Sequence, residues 1–144
     1  MPPSLGGTLN VPGLAGLAAG IRFLRAAGCE EIEARESSLR DRLYAGLSEI
    51  PGVKIYAPEP GRPAGCVLSF TIRGIDPGEI SAILDSSFDI AVRAGLHCAP
   101  YAHRMLGTIG SGGTVRVSPN HFSTPEEIDS FLDAVRQIAE AARR

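Results

Sequence analysis

Apolar residues along this chain switch repeatedly from a helical recurrence to a strict alternation and back, and that switching bounds the fold more tightly than any other feature. Leu14, Leu17, Ile21 and Leu24 recur at helical spacing behind Asn10, a plausible N-cap followed by a proline suited to a first turn. Gly28 is a natural stop for that helix. A second helix is predicted from about Glu30 to Ser48, burying Ile32, Leu39, Leu43 and Leu47, with Pro51-Gly52 ending it. Val53 to Ala57 alternates as a strand, Pro58 to Gly65 reads as a loop, and Cys66 to Ile72 is the strongest strand in the sequence. Asp76-Pro77 opens a helix through Ile80, Ile83 and Leu84. Phe88 to Val92 is short and β-rich, Pro100 to Leu106 makes a short helix, and Gly107 to Gly113 is a turn. Thr114 to Ser118 alternates so that Val115 and Val117 face one way and Arg116 the other. Thr124-Pro125-Glu126-Glu127 starts a last helix with the stripe Ile128, Phe131, Leu132, Val135 and Ile138.

This order predicts an α/β (α+β) fold: a two-layer sandwich in which helices cover mainly one face of a small mixed sheet. A length of 144 residues suits a single domain over 1–144, and 44% hydrophobic residues are enough to build its core. The formal net charge of −2 carries no electrostatic footprint for nucleic acid. No apolar run reaches the length of a membrane span, and Met1 to Gly7 lacks the basic and apolar regions of a signal peptide. Three cysteines, Cys29, Cys66 and Cys98, are too few and too odd for a secreted disulfide framework, so the expected compartment is the reducing cytoplasm.

The stretch from Arg93 to His103 is the one able to carry chemistry. Cys98 lies just before Pro100, so its thiol would meet the unpaired N–H groups and the positive end of a helix. Arg93, His97 and His103 add positive charge nearby, and such surroundings favour a nucleophilic thiolate. Against this stands the commoner role of a lone intracellular cysteine, small, buried and inert, which spacing alone favours. His97, Cys98 and His103 are zinc-ligand types, but adjacent residues seldom face one ion, and there is no CxxC pair. The glycines from 107 to 113 lack the lysine of a phosphate-binding loop and lie between a helix and a strand, the reverse of its order. Arg116 ordinarily reaches solvent or a structural carboxylate; if its face lines a cleft, it offers a fork to a substrate carboxylate. Cys29 and Cys66 have no activating neighbours and are read as packing residues.

Three segments together resemble one family. Arg93-x-Gly95-x-His97-Cys98-Ala99 is similar to the active-cysteine motif of the cysteine desulfurase branch of the class V aminotransferases, pyridoxal 5'-phosphate (PLP) enzymes of the type I fold. Thr114 to Phe122 resembles the strand that carries their substrate-carboxylate arginine, and Gly7-Thr8-x-Asn10 a segment whose threonine binds PLP phosphate across a dimer interface. The resemblance covers nearly the whole chain, and it implies the C-terminal small domain of such an enzyme. It further implies that Cys98 takes sulfur from L-cysteine as a persulfide, leaving alanine. Arg116 would orient the substrate carboxylate, Arg93 and His97 would line the same pocket, and Thr8 would reach the cofactor of a neighbouring protomer. Leu96 stands where close relatives often carry a second histidine, which leaves selenocysteine open as a substrate.

Full-length members hold PLP on a lysine of a large N-terminal domain. Here the single lysine is Lys54, in a strand with no matching motif. The chain is therefore expected to bind no PLP alone and to work with the N-terminal PLP domain or a split partner. A sulfur-acceptor protein and a homo-oligomer are the other implied partners, with Met1 to Gly7 mobile or borrowed by a neighbour. The alternative is a non-catalytic sulfur-acceptor, interaction or regulatory module derived from the same family.

Overall fold

The computed structural model describes residues 8–62 and 64–143, so the expectation for Met1 to Gly7 lies outside the described residues. Contacts divide the chain into two units, one running to Ala34 and the other from Arg35 to Arg144. The first unit holds α1 (Val11–Ala27) and the opening of α2 (Cys29–Ser48). Asn10 caps α1 as expected, its Oδ1 accepting the Gly13 N–H at 3.0 Å. At the other end Gly28, with φ 82°, gives its N–H to the Leu24 carbonyl. The apolar positions Leu14, Leu17, Ile21 and Leu24 are all exposed, and α1 buries none of its residues.

The second unit continues with β1 (Val53–Tyr56), β2 (Leu68–Ile72), α3 (Pro77–Phe88), β3 (Arg93–Gly95), α4 (Pro100–Leu106), β4 (Thr114–Val117) and α5 (Pro125–Ala141). The strands form one sheet in the order β1-β2-β4-β3. The α+β class is as the periodicity predicts, but the ladders are antiparallel throughout, where a mixed sheet was expected. β2 and β3, joined across α3, run the same way. β4 inserts between them and opposes both, so no parallel ladder forms.

Alternation decides which face is covered. Leu68, Phe70 and Ile72 of β2 and Val115 of β4 are buried, while Ser69, Thr71 and Arg116 between them are only half-buried. Leu39, Leu43 and Leu47 of α2, Ile80 and Leu84 of α3, and the stripe of α5 join those strand residues in one core. Phe70 meets Phe131 edge-on, with ring centres 6.0 Å apart, tying the middle of the sheet to α5. Helices therefore seal one face and leave Ser69, Thr71, Arg93, Thr114 and Arg116 on the other.

One segment departs from the sequence reading. Phe88 to Val92 is not a strand: α3 runs to Phe88, and Asp89 caps it in the left-handed region at φ 55°. Ile90 and Val92 still pack against the core, which is why the stretch alternates like a strand without pairing as one. The pairing begins one residue later, at Arg93. No described helix is long and apolar enough to cross a membrane.

Candidate active site

Register brings together on the open face what the sequence keeps apart. Arg93 of β3 stands directly opposite Arg116 of β4, and Gly95 opposite Thr114. Two like charges facing each other across a ladder repel. Neither arginine has a carboxylate partner within ion-pair distance among the described residues, and Arg116 Nε is buried without a hydrogen-bond partner. The arrangement is suited to an anion, which would relieve the repulsion and occupy the open donors.

The thiol arrives by an unusual turn. Leu96 accepts the Ala99 N–H at 2.8 Å, and the residues between them, His97 and Cys98, have φ of 50° and 59°. Side chains other than glycine hold that left-handed region at roughly 1 kcal/mol or more each, a strain concentrated at functional sites. Arg93 Nη2 donates to Cys98 Sγ at 3.4 Å, so the exposed thiol lies against a guanidinium. Cys98 stands just outside α4, whose N-cap is Ala99 and whose first residue is Pro100, as the sequence predicts.

Around the turn the packing is close. A Cβ on Gly113 would fall 2.2 Å from the Gly95 carbonyl oxygen, and φ at Gly113 is 97°, so only glycine fits at the entry to β4. His97 Nε2 shares a hydrogen bond with Thr114 Oγ1 at 3.1 Å, while its Nδ1 is buried without a partner. Burial is the main cause that lowers the His97 pKa, with Arg116 next and His103 and Arg93 adding to it, against a raising hydrogen bond to the Thr114 backbone. That shift favours the neutral imidazole. The His103 ring lies 5.6 Å from that of His97, buried, with its Nδ1 on Thr108 Oγ1 at 2.7 Å. Among the described residues no three metal-ligating side chains converge.

The structure thus gathers Cys98, Arg93, Arg116 and His97 along the β3–β4 ladder. Thr8 precedes α1 in the other unit and is exposed. Cys29 is exposed on α2. Cys66 is buried with its Sγ donating to the Glu36 carbonyl at 3.2 Å, and burial pushes its pKa up to about 11. Thr114 and Gly113 are members of the site that the sequence reading passed over. The alternation that separated Arg116 from Val115 puts Thr114 on the same face as Arg116, and that was the available signal.

These residues do not fit PLP as a cofactor held by the chain itself. An imine anchor needs a lysine at the site. Lys54 is exposed on β1, two strands away from β4, with its Nζ 5.0 Å over the Tyr56 ring.

The family model described as Aminotransferase class-V matches residues 4–131. A probable cysteine desulfurase of Methanothermobacter thermautotrophicus is 37% identical over 92% of this chain and 33% of its own length. One from Mycolicibacterium paratuberculosis is 41% identical over 93% of this chain and 19% of its own. The apo structure of a cysteine desulfurase from Thermococcus onnurineus NA1 superposes with a TM-score of 0.84 at 36% identity, covering 94% of this chain and 32% of the other. The chain spans a third or less of the length of these relatives. With a family match over nearly its whole length, the chain belongs to the class V aminotransferase family.

Proposed function

We propose that this chain is the C-terminal domain of a PLP-dependent cysteine desulfurase-like enzyme, with Cys98 as the sulfur-carrying nucleophile. The observation that carries the reading is the double placement of Arg93, on Cys98 Sγ and directly across the ladder from Arg116. A nucleophile and a carboxylate fork on one face of the sheet are what a small amino acid bearing a thiol requires. Arg116, with its open Nε, takes the substrate carboxylate. Arg93 holds the Cys98 thiolate toward the substrate sulfur, and His97 lines the same pocket.

In the net exchange, the Cys98 thiol and L-cysteine become the Cys98 persulfide and alanine. A sulfur–sulfur bond forms and the substrate carbon–sulfur bond breaks. The electron pair stays with that carbon, which ends protonated. PLP, held by a lysine on another part of the enzyme, would supply the electron sink. Thr8 contributes to the cofactor phosphate of a neighbouring protomer, and a sulfur-acceptor protein removes the persulfide sulfur. Selenocysteine meets the same groups. The cysteines are unpaired, which suits the reducing cytoplasm we assign.

Two assays test the reading. The 144-residue chain mixed with PLP is expected to show no stable cofactor absorbance and to make no alanine from L-cysteine. In an enzyme completed with a PLP-binding domain, Cys98→Ala abolishes alanine formation. Arg116→Gln raises KM roughly 10- to 100-fold, the worth of a charge-assisted hydrogen bond. Turnover by the chain alone, or full activity of Cys98→Ala in the completed enzyme, would overturn the assignment.

A further inference from the structure

We propose that Thr114 is the positioning residue of the thiol: by pairing with His97 it holds the left-handed turn that sets Cys98 on Arg93. The inference deepens the sulfur-carrier reading and rests on it for its purpose. Thr114 is fully buried, and a hydroxyl at that depth needs a partner. That partner is His97 Nε2 at 3.1 Å. Across the ladder stands Gly95, which brings no side chain to compete for the hydroxyl.

The turn itself is what needs holding. Two consecutive left-handed residues closed by a Leu96–Ala99 hydrogen bond belong to a class that Asn-Gly adopts readily and His-Cys does not. Such a backbone persists only where its surroundings over-determine it. Three contacts do so here: Thr114 on His97, Gly113 against the Gly95 carbonyl, and Arg93 on Cys98 Sγ. The first two come from neighbouring residues at the head of β4. Arg116 is on the same strand, two residues further and on the same face. One short strand therefore sets both the thiol anchor and the carboxylate fork, and with them the span between the sulfur and the carboxylate of a substrate.

The test is site-resolved alkylation of the full chain by iodoacetamide, read as the rate at Cys98 relative to exposed Cys29. Thr114→Val keeps the side-chain shape and removes the hydrogen bond; it is expected to lower the ratio about fivefold, the worth of one ordinary hydrogen bond. Thr114→Ser restores the hydroxyl and is expected to keep the ratio within about twofold of the parent. His97→Phe removes the other partner at a half-buried position and reproduces the loss, so the test survives a Thr114→Val chain that fails to fold. Arg93→Gln lowers the ratio in the parent but not further in Thr114→Val, because the hydroxyl acts through the Arg93 contact. An unchanged or raised ratio in Thr114→Val or His97→Phe, or strictly additive losses with Arg93→Gln, would overturn the proposal. Failure of the sulfur-carrier reading shows elsewhere, as alanine formation that survives Cys98→Ala in the completed enzyme.

Discussion

Cys66 and Cys98 are the same residue under opposite instructions. Cys98 is exposed and lies on a guanidinium, while Cys66 is buried beneath α2 with its thiol bonded to the Glu36 carbonyl. Burial first, and Glu36 second, push the Cys66 pKa from 9.0 to about 11. A thiol raised in the folded state contributes stability that is fully present below its unfolded value and is lost as pH climbs through the folded one. Thermal unfolding midpoints should therefore fall between pH 9 and pH 11, and Cys66→Val should flatten that decline. An equal decline in both proteins would remove the thiol as its cause. Surroundings of this kind are invisible locally: nothing beside Cys66 in sequence announces the α2 carbonyl that receives it. The surroundings of Cys98 were readable in part, because Arg93 and Pro100 are close to it in the chain.

Elements were legible where their start signals are local and chemically explicit. α5 is the clearest: Thr124 Oγ1 accepts the Glu127 N–H at 3.2 Å, and Glu127 Oε2 accepts the Thr124 N–H at 2.8 Å. Both halves of this capping box are adjacent in sequence, so the helix start was readable without any tertiary information. Thr124→Ala should cost about 1 kcal/mol, read as a lower urea midpoint at unchanged slope. A midpoint that does not move would show that α5 is held by its buried stripe alone. Phe88 to Val92 failed for the complementary reason. Its alternation reports burial of Phe88, Ile90 and Val92 beside the core, and burial without a partner strand does not make a strand.

At the scale of the whole molecule, the surface carries more apolar side chain than its core arrangement explains. Leu14, Leu17 and Ile21 of α1 are 53%, 61% and 49% exposed, and Tyr101 and Met105 of α4 are 77% and 90% exposed. Stripes of this kind associate in water. Sedimentation of the chain should show concentration-dependent self-association, and Leu17→Glu with Ile21→Glu should reduce it. A strictly monomeric parent at high concentration would count against that role for α1. The polar face of the sheet makes the same point chemically. Arg93 and Arg116 stand opposed with no ion-paired carboxylate between them among the described residues, an arrangement suited to an anion.

What the sequence by itself determined was everything encoded within a few consecutive residues. Helix periods, the Asn10, Asp76 and Thr124 caps, the β2 and β4 alternation and the family motif around Cys98 are all of this kind. Only the tertiary structure decided the insertion of β4 between β2 and β3, and hence the antiparallel sheet. It alone set Arg93 opposite Arg116 and brought Thr114 to His97, residues 17 positions apart. The physical reason is that period and capping are satisfied by hydrogen bonds to near neighbours. Strand order and register are chosen by which distant segments bury their apolar faces together, and a shift of one residue would turn Arg116 into the core.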